Sequence, residues 1–177
     1  MISNQKGMTF IEVLVALFII VTGVLGAVAM QSTAKQGSFD AMQRSIASSL
    51  AQDIVERIRN NNADTAILDD YVGTFGANSL TAPNPSCSGE TATCTPAQVA
   101  SYDLYEWTEL IRGAEAKSGT ANVGGLVNAV GCVSLVDQTI TVTISWEGRT
   151  ETSDGGAGEC GSSSNKRRQL SLTAYVF

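Results

Sequence analysis

The chain has 177 residues, 17 acids against 11 bases, a net charge of −6, and 44% apolar but only 6% aromatic residues. That length fits one domain plus an anchor, and the acidic balance argues against nucleic acid as a partner, because such affinity comes from Lys and Arg meeting phosphates. There is no histidine, which excludes Ser-His-Asp and Cys-His catalysis and removes the commonest metal ligand; no Gly-rich loop ending in Lys-Ser/Thr is present for a nucleotide.

The chain opens on a short polar leader that ends at Gly7. An uncharged apolar run follows over residues 13–30, with one carboxylate, Glu12, at its mouth. At about 1.5 Å per residue a helix over this run reaches about 27 Å, close to the hydrocarbon core of a bilayer. A carboxylate at that depth costs a few kcal/mol even on lenient insertion scales, so a use for it is expected. Lys6 before the run places the amino end in the cytoplasm and the bulk of the chain in the periplasm.

The stretch Gly7-Met8-Thr9-Phe10-Ile11-Glu12-Val13-Leu14-Val15-Ala16-Leu17 resembles the processing signal of type IV pilins and type II secretion pseudopilins. The resemblance implies cleavage after Gly7 by a dedicated membrane peptidase, N-methylation of the new amino terminus at Met8, and a filament-docking role for Glu12 at the fifth mature position. One departure is Met8, where most major pilins begin with Phe. Cleavage there creates an ammonium on Met8, and residues four apart share one helix face. Glu12 can therefore neutralise the amino terminus of its own chain or of a neighbour, which is favoured over two lone charges in an apolar setting.

The rival reading is an ordinary secretory signal peptide. Ala27-Val28-Ala29 fits a small-x-small cleavage site, but the apolar region exceeds the usual 7–15 residues, and helical periodicity continues past Met30. Gly23 and Gly26, each costing about 1 kcal/mol against Ala in a helix, read either as close packing between helices or as a soft spot that lengthens when the subunit leaves the bilayer.

Phe39, Met42, Ile46, Leu50, Ile54 and Ile58 recur every three or four residues and form one apolar stripe. Asp40 with Arg44, and Asp53 with Arg57, are spaced for surface ion pairs. One helix is thus expected from about Thr9 to Arg59, able to bend at Gly37-Ser38 and stopped by Asn60-Asn61-Asn62. Its spacing, closer to four than to 3.5, argues against a coiled coil; its second half is expected to lie on a sheet made later in the chain. The segment from Gln52 to Asn61, and Gly23-Val24-Leu25-Gly26 followed by Gln31, are similar to the PilV class of minor pilins.

Residues 63–93 read as loop, with Pro83 and Pro85 as punctuation. Asp64, Asp69 and Asp70 lack the spacing of a calcium loop. Thr95-Pro96-Ala97-Gln98 is a capping box with Pro in the first turn, so a second helix is expected over about 95–112, with Val99, Tyr102, Trp107, Leu110 and Ile111 inward. Asp103, Glu106 and Glu109 invite a two-carboxylate glycosidase reading, but acids on a solvent-facing side explain them better. The run from Cys94 to Trp107 again resembles the PilV class.

Ile140, Val142, Ile144 and Trp146 alternate with Thr139, Thr141, Thr143 and Ser145, the pattern of a half-buried strand. Residues 126–130 and 132–136 read as one bent strand or two, Asp137-Gln138 as a turn, and Leu170, Leu172, Ala174 and Val176 as a last strand. Antiparallel pairing follows. Between the last two strands lies a Gly/Ser-rich loop over 148–166, and Lys166-Arg167-Arg168 reads as a solvated strand entry rather than a site for an acidic neighbour. The cysteines Cys87, Cys94, Cys132 and Cys160 are suited to disulfides in an oxidising compartment. Three connectivities are open, and nearness in sequence favours Cys87–Cys94 with Cys132–Cys160.

The expected organisation is a leader over 1–7, a transmembrane and assembly half-helix over 8–30, an amphipathic half over 31–62, and a periplasmic globular part over 63–177 with its sheet at about 125–177. The fold class is α+β and type IV pilin-like. The resemblance implies a PilV-type minor pilin that helps prime pilus assembly near the tip, with no catalytic residues, metal or cofactor of its own. The implied partners are other minor pilins, the major pilin, the prepilin peptidase, the inner-membrane assembly platform and a possible tip adhesin. The rival functions are a minor pseudopilin of a type II secretion system, an anchored adhesion or DNA-binding module, and a secreted enzyme.

Overall fold

A computed structural model describes residues 7–61, 65–89, 92–152 and 160–176. It contains two compact units, Met1–Ala41 and Met42–Phe177, which are taken in turn. The leader over 1–6, Asn62, Asp64 and the centre of the Gly/Ser-rich loop lie outside the described residues.

In the first unit, helix α1 (Phe10–Asn60) begins where the Thr9 carbonyl accepts from the backbone N–H groups of Glu12 and Val13, at 3.1 and 3.3 Å. Glu12 stands in the first turn, where a negative charge is favoured by the helix dipole. The apolar residues of this stretch are exposed within the unit, from 41% at Val13 to 80% at Phe10. The polar Thr22 is reconciled with these surroundings by bonding back to the carbonyls of Phe18 and Ile19, both at 3.0 Å.

In the second unit, the remainder of α1 buries Gln43, Ala47, Leu50, Ala51, Ile54, Val55 and Ile58. The stripe is therefore shifted at its start: Met42 is exposed and Gln43 takes the inward place. The helix passes Gly37-Ser38 without interruption. Residues 63–93 are not all loop. They form α2 (Thr65–Leu68), a 3-10 turn (Asp69–Tyr71) that buries Tyr71, and strand β1 (Gly73–Phe75).

Helix α3 (Pro96–Ile111) starts with the expected box: Thr95 accepts from the Gln98 amide, and Gln98 accepts from Thr95 N–H at 2.9 Å. A two-residue hairpin pair, β2 (Lys117–Ser118) and β3 (Ala121–Asn122), follows it. Strand β4 (Val130–Val136) starts later than expected, because residues 126–129 turn toward it with Asn128 at a positive φ of 47°. Asp137, at φ 55°, turns the chain into β5 (Thr139–Glu147), and β6 (Arg167–Tyr175) completes a sheet of order β1-β4-β5-β6, antiparallel throughout. Aspartate tolerates that left-handed conformation better than most residues.

The sheet's inner face carries Val133, Ile140, Val142, Ile144 and Trp146, which form one core with Ile54 and Ile58 of α1 and with Trp107 and Ile111 of α3. Burying each such aliphatic side chain contributes about 1.5–3 kcal/mol. Trp107 and Phe75 meet edge to face with ring centroids 5.8 Å apart. Gly131 is fitted to that packing, since a Cβ there would stand 2.5 Å from the Trp107 ring.

Candidate functional site

The first candidate region is the amino-terminal segment. Gly7, Met8 and Thr9 are exposed and precede the helix. Met8 is thus not on α1 in this uncut chain, and the shared face expected for residues 8 and 12 is not formed. None of the ion pairs formed by the described residues involves Glu12. An 18-residue window of α1 has a mean hydropathy of 2.8 and is not buried within the protein, so by length and composition the helix can cross a membrane. The chemistry on offer is one carboxylate at the head of an apolar rod, with no internal counter-charge among the described residues.

The second region joins α1 to α3. Arg57, one turn after Asp53, reaches its carboxylate at 2.9 Å, as the i,i+4 spacing predicts. Its Nη1 also donates to Asp103 at 3.1 Å and to Glu106 at 2.8 Å. Asp103 and Glu106 therefore do not sit on a purely solvated face: one guanidinium binds both, and Glu109 approaches Arg112 at 3.8 Å. Tyr71 donates to the other Asp103 oxygen at 2.7 Å, and Asn61 donates to the Tyr71 oxygen and to the Pro96 carbonyl. Trp107 Nε1 donates to the Leu50 carbonyl at 2.9 Å.

The electrostatics of this cluster follow from burial. Burial works against the Arg57 charge, but Glu106, Asp53 and Asp103 more than offset it, and the guanidinium is held above its ordinary value. Burial and then the Asp103 carboxylate push the Tyr71 phenol up, against a smaller opposing effect of Asn61. Two acids clamped by one arginine suit a structural tie better than general acid/base work, which needs the carboxyls facing an open bond.

Disulfides Cys87–Cys94 and Cys132–Cys160 are formed, with Cα–Cα distances of 6.0 and 5.8 Å. The second ties the end of the Gly/Ser-rich loop to β4. Next to it, Arg167 and Arg168 are 2% and 8% exposed, so they are not a solvated strand entry. Arg167 donates from Nε to Ser145 Oγ at 2.6 Å and from Nη1 to the Asn128 carbonyl at 3.0 Å. Ser145, expected on the outer face, is buried beneath it. Burial lowers the Arg167 pKa, opposed by Glu147.

Among the described residues no group of three or more His, Cys, Asp or Glu is placed to hold a metal. An open cavity of about 910 Å³ runs past Arg112, Asn122, Asn128, Glu147 and Arg167, and among the described residues Glu147 is the one carboxylate on its wall.

A long helix with an exposed apolar first half, and a second half packed on an antiparallel sheet with an added short helix, define the pilin-like α+β class. Two family models match the chain: a prokaryotic N-terminal methylation motif over residues 2–28, and type IV pilin Tt1218 over residues 29–105. Together these two matches support a type IV pilin, a structural family, and the methylation motif and the apolar helix fit a membrane-anchored pilin. No curated protein and no solved structure matches the chain.

Proposed function

We propose that the chain is a minor pilin of the PilV type, which helps prime type IV pilus assembly and resides near the tip with other minor pilins. The observation that carries this reading is the Arg57 cluster. Two of the three segments that resemble the PilV class, Gln52 to Asn61 and Cys94 to Trp107, are fastened to each other by Arg57 and Asn61. The likeness in these two segments therefore falls on one packed unit, while the third, at residues 23–31, lies on the apolar half of α1.

In this reading the peptidase cuts after Gly7, Met8 becomes the methylated amino terminus, and Glu12 enters the filament against the amino terminus of a neighbouring major or minor pilin. The disulfide-bonded part stays periplasmic until the assembly platform lifts the helix out of the bilayer. The exposed apolar helix and its single acid support this, because an unmatched charge in an apolar phase keeps its full desolvation cost until a cation arrives. A tip adhesin is a further partner of the same kind of complex.

The test is deletion of the gene, with complementation by wild type and by Glu12→Ala. The reading expects loss of pili and twitching, restored by wild type only, with Glu12→Ala inserted in the membrane but excluded from filaments. Loss of exoprotein secretion with intact pili assigns the chain to a secretion pseudopilus instead.

A further inference from the structure

Among the described residues strand β6 lies at one edge of the sheet, paired only with β5. The opposite edge is β1, three residues long and too short to recruit another strand, whereas β6 runs for nine. Natural proteins guard such edges with charge, proline or bulges. Between Gln169 and Tyr175 there is no charge and no proline.

The direction of the free backbone groups follows from the ladder. Val176 N–H donates to Gln138 C=O at 3.0 Å, and Gly148 N–H to Lys166 C=O at 2.8 Å; both are facing pairs of the β5–β6 register. Bonded and non-bonded pairs alternate in an antiparallel ladder. Leu170, Leu172 and Ala174 therefore spend their backbone groups on β5, while Gln169, Ser171 and Thr173 direct theirs outward. On the inner face Leu170, Leu172 and Ala174 are only partly buried at the rim of the core.

We infer that the β6 edge pairs antiparallel with the β6 edge of a second copy of this chain, around a two-fold axis at Leu172. Only an extended backbone satisfies a free ladder, and this strand is complementary to itself, as a two-fold interface requires. About Leu172, Ser171 faces Thr173 and Leu170 faces Ala174. The outward-directed groups of Ser171 and Thr173 then bond in register. Hydroxyls meet on one face as they already do across β5–β6, where Thr143 pairs with Ser171 at 2.9 Å and Thr141 with Thr173 at 3.3 Å. On the other face the half-covered Leu170, Leu172 and Ala174 close over one another. The inference rests on the sheet and not on the minor-pilin reading, so either can fail alone.

The test uses the full chain, produced without other pilins and purified in detergent, with its mass read by light scattering corrected for detergent. A photo-cross-linking residue at Thr173 reports the neighbour in intact cells. Ser171→Pro removes an N–H that points away from β5, so it blocks the edge without breaking the existing ladder; Thr173→Lys adds a guarding charge. The expected result is a dimer whose cross-link joins position 173 to the Ser171 region of another copy. Both substitutions weaken it by about tenfold or more, as loss of one or two backbone bonds implies, with circular dichroism unchanged. If Ser171→Pro fails to fold, Thr173→Lys decides alone. A monomeric wild type, a dimer indifferent to the folded substitutions, or a cross-link that lands only on another protein overturns the inference.

Discussion

Arg57 and Asp103, 46 positions apart, are joined by a hydrogen-bonded ion pair of 3.1 Å that fixes α3 against the second half of α1. The Asp103 side chain is 13% exposed and that of Arg57 23%, so the pair is screened less than a surface bridge yet is not fully dry. Removing one partner of a buried pair leaves an uncompensated charge.

Arg57→Leu is expected to cost about 2 kcal/mol, below the full penalty for a wholly buried pair because water still reaches this one. Arg57→Lys should recover only part of it, since a point ammonium cannot fork between Asp103, Glu106 and Asp53. Urea denaturation of the full chain in detergent, followed by tryptophan fluorescence, measures both. A change below a few tenths of a kcal/mol shows that the cluster does not hold α3.

Tyr71 gives a pH signature. Its folded pKa is raised above the unfolded value, so the folded state favours the protonated phenol. The stability it contributes is whole below about pH 10 and is lost as pH rises beyond it, because the unfolded chain releases the proton first. Tyr71→Phe is expected to flatten this alkaline fall while costing about 1 kcal/mol near neutrality from the lost bonds to Asp103 and Asn61. Denaturation midpoints from pH 7 to 11 decide it; equal alkaline slopes for the two proteins contradict the assignment.

The disulfides should differ in weight. Cys132–Cys160 spans 28 residues and Cys87–Cys94 spans seven. On the loop-entropy account, paired Cys→Ser substitutions cost about 3–4 kcal/mol for the first and about 2 kcal/mol for the second. Thermal melts of the two double variants give the order, and a larger loss at Cys87–Cys94 opposes it.

Gly131→Ala tests the packing of α3 on the sheet. The added methyl meets Trp107 and Ile111, both fully buried, and overpacking of this kind costs about 1–3 kcal/mol. Gly89→Ala, with open space around its Cβ but a positive φ, should perturb Trp107 fluorescence far less. Equal fluorescence changes in the two variants argue against a close contact at Gly131.

Which parts were legible in the sequence follows from how local their causes are. Helix α3 was readable because Thr95, Pro96 and Gln98 satisfy each other within one turn. Strand β5 was readable because Ile140, Val142, Ile144 and Trp146 alternate. The same alternation misplaced Ser145, since nothing local says that Arg167 lies over it, 22 residues on. Arg57 showed its local partner Asp53 but not Asp103 or Glu106, which meet it only when α3 docks. Tyr71 stood in a stretch of loop-like composition and gained its burial from the tertiary bonds to Asn61 and Asp103. Gln43 displaced Met42 because hydropathy does not report where a domain's cover ends along a helix.

The account turns on residues 8–30 being retained in the mature protein as an anchor with a processed amino terminus. Mass spectrometry of the amino-terminal peptide from the protein purified out of its native membrane reads this directly. The account predicts a chain that begins with N-methylated Met8; a chain that begins at Met30, with the apolar segment removed, contradicts it.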